Sequence, residues 1–413
     1  MAKILPFKAF RPTADKVQLV VSKAVESYDK SEMNFHLRRN PYSFLNVIKA
    51  NYQRPIKLKG KALFEQIKSN FDQFVHNGIM VQDHQPGYYI YRQNKGNYHY
   101  TGIIALASAE DYHSDVIKKH EETLTKREEI LKNYLVACPI NAEPICFTYP
   151  DHQAINELVN KYIHTSPTYF FTDYDQVSHE LWIIQSDQDV EAISNAFEEI
   201  PAVYIADGHH RSAASALYAS EMKANNPNHT GQEDYNAYMG IFFPESELKI
   251  FEFNRIVKDL NGLTKDELLD ALGQQFEVSA TLETHPESAN EMTMYLDEEW
   301  YSLKCKEGTF EQNDPVKSLD SYILSANILD PIFGIKDLKK DNRVQFVAGI
   351  HGTTRLEQMV DKGLGAVAFC LHPVSMEELK NVADSGGNMP PKSTWVEPKL
   401  KSALTVYYMN DHQ

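Results

Sequence analysis

Apolar residues recur with helical spacing in several parts of the chain. Between residues 61 and 77 they occupy one face of a predicted helix, and Gly78 follows where a left-handed cap would end it. A longer charged helix is predicted over 109–136, because Ile117, Leu124 and Leu131 recur every seven residues and would form its buried stripe. Further helices are predicted at 154–162, 190–199, 209–224, 265–276, 319–329 and 376–383.

Short runs rich in β-branched and aromatic residues predict strands between these helices. Residues 88–93 and 99–106 flank a polar turn and read as a hairpin. The run 201–206 is apolar throughout, as expected of a strand buried on both faces. Other strands are predicted at 144–149, 168–172, 180–185, 237–243, 248–253, 300–305, 344–350 and 366–371. The alternation of strands and helices predicts an α/β or mixed α+β fold.

The length and the polar stretches suggest how this fold is divided. A chain of 413 residues is longer than one hydrophobic core usually organises, and 42% of its residues are hydrophobic. The polar stretch 225–234 is the best candidate for a linker. We therefore expect an N-terminal α/β domain over 1–228 and a C-terminal α/β domain over 235–413.

Charge and cysteine usage exclude several classes of protein. With 57 acidic and 41 basic side chains the net charge is −16, and no dense basic run is present, so nucleic-acid binding is disfavoured. The four cysteines are scattered and predict reduced thiols in the core rather than disulfides or a structural zinc site. Neither a signal peptide nor an apolar run of roughly 20 residues is visible, so a cytoplasmic protein without a membrane span is expected.

The candidate chemistry is concentrated where the run 201–206 meets the predicted helix 209–224. This segment, here called the 207–211 turn, consists of Asp207, Gly208, His209, His210 and Arg211. A strand ends, one glycine permits a tight turn, and a helix begins whose first N–H groups lie at the positive end of the helix dipole. Such a helix start binds anions, above all phosphate, and an arginine can hold phosphate oxygens with paired hydrogen bonds. The turn therefore predicts a phosphate or nucleotide site.

A simpler interpretation of the 207–211 turn is structural. Asp207 would cap the helix, and the histidines would be satisfied surface groups. Two histidines and an arginine at the positive end of a helix are, however, electrostatically unfavourable without an anion. This favours a functional role.

Three other groups of residues are weaker candidates. His120 and Glu121 would lie on the inward side of the helix predicted over 109–136, where a hydrogen-bonded core histidine is the alternative; the pattern is not HExxH, since position 124 is leucine. The proline-rich stretch 388–399 presents Lys392, Ser393 and Thr394 for phosphate contacts, or is an ordinary surface connection. The group Asp173, Asp175 and His179 could supply a metal ligand or base, although turn-forming aspartates are more frequent.

Motifs along nearly the whole chain resemble the domain-of-unknown-function 1015 family. They are found at 6–12, 28–29, 91–93, 120–123, 205–211 and 389–399, in the right order. The usual proline-rich lead into Tyr28 and Asp29 is replaced here by Glu26 and Ser27. The 207–211 turn also resembles the phosphate-binding turn of the ParB/sulfiredoxin superfamily, which implies a ParB/sulfiredoxin-like core with additional α/β elements.

Members of that superfamily include nucleotide-binding ParB proteins, sulfiredoxin and free-serine kinases. Sulfiredoxin chemistry needs a reactive cysteine in the turn, and His209 or His210 stands there instead. DNA partitioning of the ParB type needs a helix-turn-helix module and a basic surface, and neither is visible. Of the three activities, the kinase-like one is therefore the interpretation that remains.

The resemblance therefore implies a small-molecule phosphotransferase that uses ATP or ADP and Mg²⁺. Asp207 would orient the Mg²⁺ or the acceptor hydroxyl, and Glu121, or Asp175 as second choice, would be the base, with His120 beside it. Phosphate contacts would come from Gly208, His209, His210, Arg211, Ser212, Lys392 and Thr394. The partners would be a nucleotide and a small hydroxylated substrate. The alternative is a ParB-like nucleotide-binding regulatory or DNA-associated protein that transfers no phosphate.

Overall fold

The chain forms two compact units that are interleaved in sequence. The computed structural model describes residues 1–409. Unit 1 contains Met1–Lys118, Thr123–Leu248 and the segment that starts at Pro398, whereas unit 2 contains Lys119–Glu122 and Lys249–Glu397. Unit 2 is thus almost entirely one continuous stretch, and unit 1 is assembled from three.

Strands and helices alternate through both units. The first strands are β1 (Ile4–Leu5), β2 (Phe10–Pro12), β3 (Ser22–Lys23), β4 (Met80–Gln82), β5 (Tyr88–Lys95), β6 (Tyr98–Ser108), β7 (Ile117–Lys118), β8 (Ile140–Asn141), β9 (Ile145–Tyr149), β10 (Tyr169–Thr172) and β11 (Ser178–Ile184). The later strands are β12 (Val203–Asp207), β13 (Ala237–Pro244), β14 (Lys249–Val257), β15 (Phe276–Thr281), β16 (Glu291–Leu296), β17 (Glu299–Cys305), β18 (Val344–Ala348), β19 (Val367–Leu371), β20 (Thr394–Glu397), β21 (Lys401–Ser402) and β22 (Tyr407–Tyr408). The α-helices are α1 (Val17–Val20), α2 (Lys30–Arg39), α3 (Leu45–Ile48), α4 (Gly60–His76), α5 (Ala109–His113), α6 (Thr125–Ala137), α7 (Gln153–Ile163), α8 (Asp187–Glu198), α9 (His209–Asn225), α10 (Lys265–Leu272), α11 (Asp320–Leu324), α12 (Thr354–Asp361) and α13 (Met376–Asp384).

Unit 1 is built on a nine-stranded mixed sheet. Its main path is β10-β11-β5-β6-β13-β9-β12-β7, and β1 pairs with β6 beside that path. The β13–β9 and β12–β7 pairs are parallel, and the others are antiparallel. A core of aromatic and branched residues, including Phe147, Phe197 and Phe242, packs between the sheet and its helices. A second cluster around Phe71 holds α3 and α4 to β2, β4 and β22.

Two short strands of the last segment complete unit 1. Strand β21 pairs with β3, and β22 pairs with β8, both antiparallel. Residues that follow unit 2 in the chain therefore pair with strands that precede it. This pairing carries Lys399 and Lys401 into unit 1.

Unit 2 is built on a seven-stranded sheet whose described pairs are all antiparallel. Its main path is β15-β17-β16-β19-β14-β18, with β20 paired to β14. One face of the sheet packs on a large apolar core around Phe369, Leu268 and Leu324. The other face carries a smaller cluster that includes Ile256 and Cys370, covered by α12.

The structure confirms the mixed α/β fold and most of the predicted elements. The hairpin of β5 and β6 forms as predicted, and α4 is followed by Gly78 with a φ of +67°. All four cysteines are free thiols. No helix within residues 1–409 is long and apolar enough to cross a bilayer.

The prediction of one long helix over 109–136 is wrong. The chain forms α5, turns at Asp115, whose φ is +61°, and then contributes β7 as a parallel neighbour of β12 before α6 begins. Ile117 is buried in that strand, while Leu124 is exposed ahead of α6. The seven-residue spacing thus arose from residues of different elements. Backbone pairing at the edge of a sheet outweighed the helical pattern.

The two units differ in extent from the domains predicted at 1–228 and 235–413. Residues 237–244 form β13, which lies between β6 and β9 in the sheet of unit 1. The passage into unit 2 therefore follows Leu248. The polar stretch 225–234 is a surface connection from α9 to β13 within unit 1.

Candidate functional site

The 207–211 turn joins a buried strand to a long helix in unit 1. Residues 203–206 of β12 are buried, and the pairing of β12 with β9 shifts register between Ile205 and Asp207. Gly208 is the N-cap residue of the 17-residue helix α9; it adopts a φ of +102°, and no side chain caps the helix from this position. The sequence prediction of strand, glycine turn and helix is confirmed here. The start of α9 therefore presents the positive end of a long helix dipole beside the turn.

Two cationic side chains flank the start of α9. Lys399 Nζ lies 3.5 Å from Asp207 Oδ2, and Arg211 Nη2 lies 3.0 Å from Glu143 Oε1. Arg211 Nη1 also donates to the backbone oxygens of Glu143 and Pro144, at 3.1 and 2.8 Å. The guanidinium is thus held against the start of β9, with its side chain 30% exposed. Asp207 does not cap α9 as the structural interpretation expected; its carboxylate is paired with a lysine instead.

The pKa values of Asp207 and His209 are both lowered. The surrounding protein partly desolvates the half-exposed Asp207 carboxylate, which acts to raise its pKa, but the positive charges of Lys399 and Arg211 outweigh this and bring the pKa below its ordinary value. Burial lowers the pKa of His209 to about 3, against the opposing effect of the Asp207 carboxylate. Near neutral pH the turn therefore contains an ionised aspartate and a neutral, buried imidazole.

His210 and Ser212, two further predicted phosphate contacts, differ in burial. His210 is half-buried, and its Nδ1 accepts a hydrogen bond from the backbone N–H of Leu124 at 3.4 Å. This contact assigns the proton of a neutral ring to Nε2, which is then a donor. Ser212 is fully buried, and its hydroxyl hydrogen-bonds to Tyr238 Oη at 2.8 Å. The structure thus gives the Ser212 hydroxyl a partner in the interior of unit 1.

A second group of polar residues in unit 1 lines a narrow cleft with a volume of about 30 Å³. Its polar lining includes Lys23, Tyr28, His36, Asp173, Asp175 and Lys401, and we call it the lysine cleft. Lys23 Nζ bridges Glu32 and Asp175, at 2.6 and 3.1 Å. The cleft therefore carries both positively and negatively charged side chains.

A buried chain of hydrogen bonds supports the lysine cleft. Tyr91 Oη lies 2.8 Å from His179 Nδ1, His179 Nε2 lies 3.1 Å from Asp173 Oδ2, and the same oxygen pairs with Lys401 Nζ. Asp173 Oδ1 also accepts from the backbone N–H groups of residues 175 and 177. Burial acts to raise the pKa of Asp173, but His179 and Lys401 outweigh it and lower the pKa. The turn-forming role that the sequence suggested for Asp173 is present, and its second oxygen serves the cleft.

One short segment connects the cleft to the 207–211 turn. Lys399 pairs with Asp207, and Lys401, two residues later, pairs with Asp173. The Lys399 carbonyl accepts a hydrogen bond from Gln93 Nε2 at 3.2 Å, so the segment is anchored to β5. Because the two lysines are only two residues apart, one short segment contacts both the turn and the cleft in unit 1.

The other predicted site residues belong to unit 2. His120 is buried, and its carbonyl accepts a hydrogen bond from Met389 N at 2.8 Å. Glu121 is exposed in the same non-helical segment. Lys392 has a φ of +59°, and its Nζ lies 5.1 Å from the centre of the Phe253 ring. Thr394 begins β20, opposite Glu252 of β14. The catalytic and phosphate-binding roles of these four residues stay predictions.

Sequence reasoning missed several residues of this region. Glu143 carried no signal, because a single glutamate before a strand is common. Lys399 lay within the motif 389–399, but its pairing with Asp207 depends on a long-range return of the chain. Lys23 and His36 lie 13 residues apart near the start of the chain, whereas Lys401 follows unit 2. Only the proximity of the chain ends of unit 1 brings them together.

Replacing Gly208 with alanine should destabilise unit 1 by about 2 kcal/mol. The backbone conformation at φ +102° disfavours a side chain, and an added Cβ would lie 3.1 Å from Arg211 Nη2. Gly231→Ala is the matched control, because Gly231 has a φ of +87° and nothing within 4 Å of an added Cβ. Urea unfolding of both variants should show the larger loss for Gly208→Ala. Equal losses would mean that the contact with Arg211 has no energetic weight.

Comparisons with known proteins yield a family match and distant structural similarities. A family model described as "Protein of unknown function (DUF1015)" matches residues 4–322. No curated protein matches the chain significantly. The link to the ParB/sulfiredoxin superfamily stays a prediction.

Among solved structures, the free serine kinase in complex with AMP is 11% identical, with a TM-score of 0.36, and the match covers 73% of this chain and 92% of that one. SbnI from Staphylococcus aureus with a C-terminal truncation is 15% identical, with a TM-score of 0.36 and coverage of 73% and 87%. A conserved hypothetical protein from Pyrococcus furiosus is 13% identical, with a TM-score of 0.33 and coverage of 73% and 95%. These similarities are too distant to decide the activity or the ligands of this chain.

Proposed function

Since the chain belongs to the DUF1015 family, whose description states no activity, we propose from its own residues that it is a nucleotide-dependent phosphotransferase. The phosphate groups of ATP or ADP would bind at the 207–211 turn, and a small hydroxylated metabolite would accept the phosphate. The observation that carries this proposal is the start of α9. A helix of 17 residues begins there at a left-handed glycine, without a capping side chain at that position, between Arg211 and Lys399.

This arrangement favours an anion over the internal pairs that it now contains. The Arg211–Glu143 pair is partly exposed on both sides, and pairs of that kind contribute roughly 0.2–1 kcal/mol. A nucleotide phosphate carries more charge than a carboxylate and also meets the helix dipole. Of the five N–H groups of Arg211, three face Glu143 and Pro144, which leaves two for a phosphate.

His209 would act on the phosphate as a neutral donor rather than as a cation. His209 is neutral near pH 7 because its burial lowers its pKa to about 3. His210 would donate from Nε2, since its Nδ1 accepts from Leu124. Arg211 and Lys399 would then supply the positive charge that stabilises the transferring phosphoryl group.

The acceptor molecule would bind at the mouth of the lysine cleft in unit 1. Lys23 and Lys401 would hold an anionic group of the acceptor, and Asp173 or Asp175 a cationic one. Asp175 is partly exposed at the cleft and would accept the proton of the attacking hydroxyl as that oxygen bonds to phosphorus and the nucleotide leaves. Glu121, which the sequence favoured for this step, lies in unit 2 and stays the other candidate.

The proposed phosphotransferase activity implies Mg²⁺, and Asp207 would supply one of the carboxylate ligands for it. Asp207 is ionised and about half exposed, and Mg²⁺ in such enzymes is bound by one or two carboxylates together with the phosphates of the substrate. Asp207 would hold the ion after exchanging its contact with Lys399. The bound ion would neutralise part of the phosphate charge.

Replacing Arg211 with alanine should weaken nucleotide binding about 10- to 100-fold, because a hydrogen bond between charged groups is lost. The measurement is calorimetric titration of the full chain with ADP and Mg²⁺. Lys132→Ala is the control. Lys132 lies in α6 and pairs at 2.7 Å with Glu221, which is in α9 but ten residues beyond Arg211. Unchanged affinity in Arg211→Ala would contradict the proposed site.

Product analysis tests the transfer step separately. The full chain is incubated with ATP or ADP, Mg²⁺ and a pool of hydroxylated metabolites, and ³¹P NMR is recorded. A new phosphoester signal that Arg211→Ala loses and Lys132→Ala keeps is expected. Nucleotide binding without any phosphoester would exclude phosphotransfer to these acceptors and favour a protein that only senses the nucleotide.

A further inference from the structure

Unit 2 contains a cluster of three metal-binding side chains that has no part in the proposed function. Glu252, His285 and Cys370 each offer one donor atom, and the three donor atoms lie within 4.8 Å of one another. Glu252 comes from β14, Cys370 from β19, and His285 from the loop that follows β15. An oxygen, a nitrogen and a sulfur donor from distant parts of the sequence therefore meet at one point.

The sheet of unit 2 brings Glu252 and Cys370 together. Strands β14 and β19 are antiparallel neighbours, with Arg255 opposite Phe369, so residue 254 follows opposite Cys370. Since alternate residues of a strand share a face, Glu252 projects on the same side as Asn254. Glu252 and Cys370 are 5% and 0% exposed. Both donors are thus fixed by rigid strands beneath the surface.

Hydrogen bonds to Thr284 hold the histidine in place. Thr293 Oγ1 donates to the Thr284 carbonyl at 2.7 Å, and Thr353 Oγ1 donates to Thr284 Oγ1 at 3.0 Å. Thr284 Oγ1 in turn lies 3.2 Å from His285 Nδ1. A partner of this kind orients an imidazole and leaves Nε2 for a metal.

The carboxyl group of Glu252 lacks a compensating positive charge. It accepts a hydrogen bond from Asn254 Nδ2 at 3.2 Å, and within residues 1–409 it forms no ion pair with a lysine or an arginine. Gly349 packs directly against it, because an added Cβ there would lie 2.1 Å from Oε1. A buried carboxylate is costly unless a cation or a proton neutralises it.

We propose that Glu252, His285 and Cys370 bind one Zn²⁺ ion. The mixed donor set excludes Mg²⁺ and Ca²⁺, which take oxygen ligands, and suits Zn²⁺, which accepts all three. With metal–ligand distances of about 2.0–2.3 Å, tetrahedral donors are roughly 3.3–3.7 Å apart, so small side-chain movements would close the site.

Three protein ligands leave the fourth position of the zinc open. His285 is exposed, whereas the other two ligands are buried, so the open position is on the side of the histidine loop and would take water or a solute donor. The ion would also fasten the middle of that loop to the sheet, in addition to the hydrogen bonds of Thr284 and Asn290. Zinc should therefore protect residues 282–290 from hydrogen exchange.

The test uses the full chain stripped of metal with a chelator and then titrated with Co²⁺ and Zn²⁺, without nucleotide. One Co²⁺ per chain should give a thiolate-to-cobalt charge-transfer band and the intense visible bands of tetrahedral cobalt. His285→Ala, which alters an exposed side chain, should weaken Zn²⁺ binding at least 10-fold in a chelator competition. Cys370→Ser should remove the charge-transfer band.

Two matched variants separate this site from adventitious binding. Cys305→Ser alters the other cysteine of unit 2 and should keep both the band and the affinity. Glu252→Gln keeps the shape of the side chain, removes its charge and should weaken binding at least 10-fold. A cobalt spectrum without the thiolate band, or equal affinities in His285→Ala and the unaltered chain, would overturn the proposal. Neither outcome bears on nucleotide binding in unit 1.

Discussion

Unit 1 should lose about 3 kcal/mol of stability as the pH falls from about 7 to about 4, and replacing His209 with glutamine should remove most of this loss. Burial lowers the pKa of His209 to about 3 in the folded chain, whereas an unfolded histidine titrates near 6.5. As the pH falls below 6.5, the histidine binds a proton in the unfolded chain but not in the folded chain. The stability contribution is therefore complete above about pH 6.5 and is lost as the pH falls toward 3.

Hydrogen exchange read separately for the two units measures this effect. The slope of the stability of unit 1 against pH should flatten in His209→Gln, and peptides of unit 2 should keep their own slope. NMR of ¹³C-labelled histidines gives a direct check, because the His209 signal should not titrate above about pH 4. A His209 signal that titrates near 6.5 would show that the ring is protonated at the turn.

Unit 2 should lose stability as the pH rises, because of Asp320. Burial raises its pKa to about 7, although its carboxyl oxygens accept hydrogen bonds from the backbone N–H groups of Asn290 and His372. An unfolded aspartate titrates near 3.9, so the folded chain holds the proton more tightly between these values. The stability is complete below about pH 4, and about 4 kcal/mol is lost as the pH rises through 7.

Asp320→Asn should leave unit 2 with a flatter dependence on pH. The asparagine cannot ionise, but its amide nitrogen cannot accept the second hydrogen bond, so a constant loss of stability is also expected. Urea unfolding followed by the fluorescence of Trp300 and Trp395, both in unit 2, measures the slope. A variant whose stability changes with pH as steeply as that of the unaltered chain would contradict the assignment to Asp320.

Local patterns were sufficient to predict most elements of the fold. Strand β12 and helix α9 were predicted within two residues of their observed ends, because an apolar run, a glycine and an alanine-rich segment are all local signals. The error at 109–136 shows the limit of such patterns. Ile117 belongs to an edge strand that exists only through its pairing with β12. Sequence spacing contains no information about that partner.

The candidate sites differ in how far they could be predicted. The 207–211 turn is continuous in sequence, so its residues were recognised before their contacts were known. Glu143, Lys399 and Lys401 were not, because their contacts depend on pairing across the whole of unit 1. The cluster of Glu252, His285 and Cys370 spans more than one hundred residues, and its lone cysteine has no CxxC partner. Sequence reasoning therefore expected a reduced core thiol there.

The return of the chain to unit 1 after Glu397 has a consequence for how the protein is made. A ribosome must finish translating unit 2 before it releases the residues that form β21 and β22 and supply Lys399 and Lys401. Until then β3 and β8 lack their partners, and Asp207 and Asp173 lack their lysines. Unit 2, which is nearly continuous, can fold during synthesis, whereas the proposed acceptor and phosphate positions of unit 1 would be completed only after it.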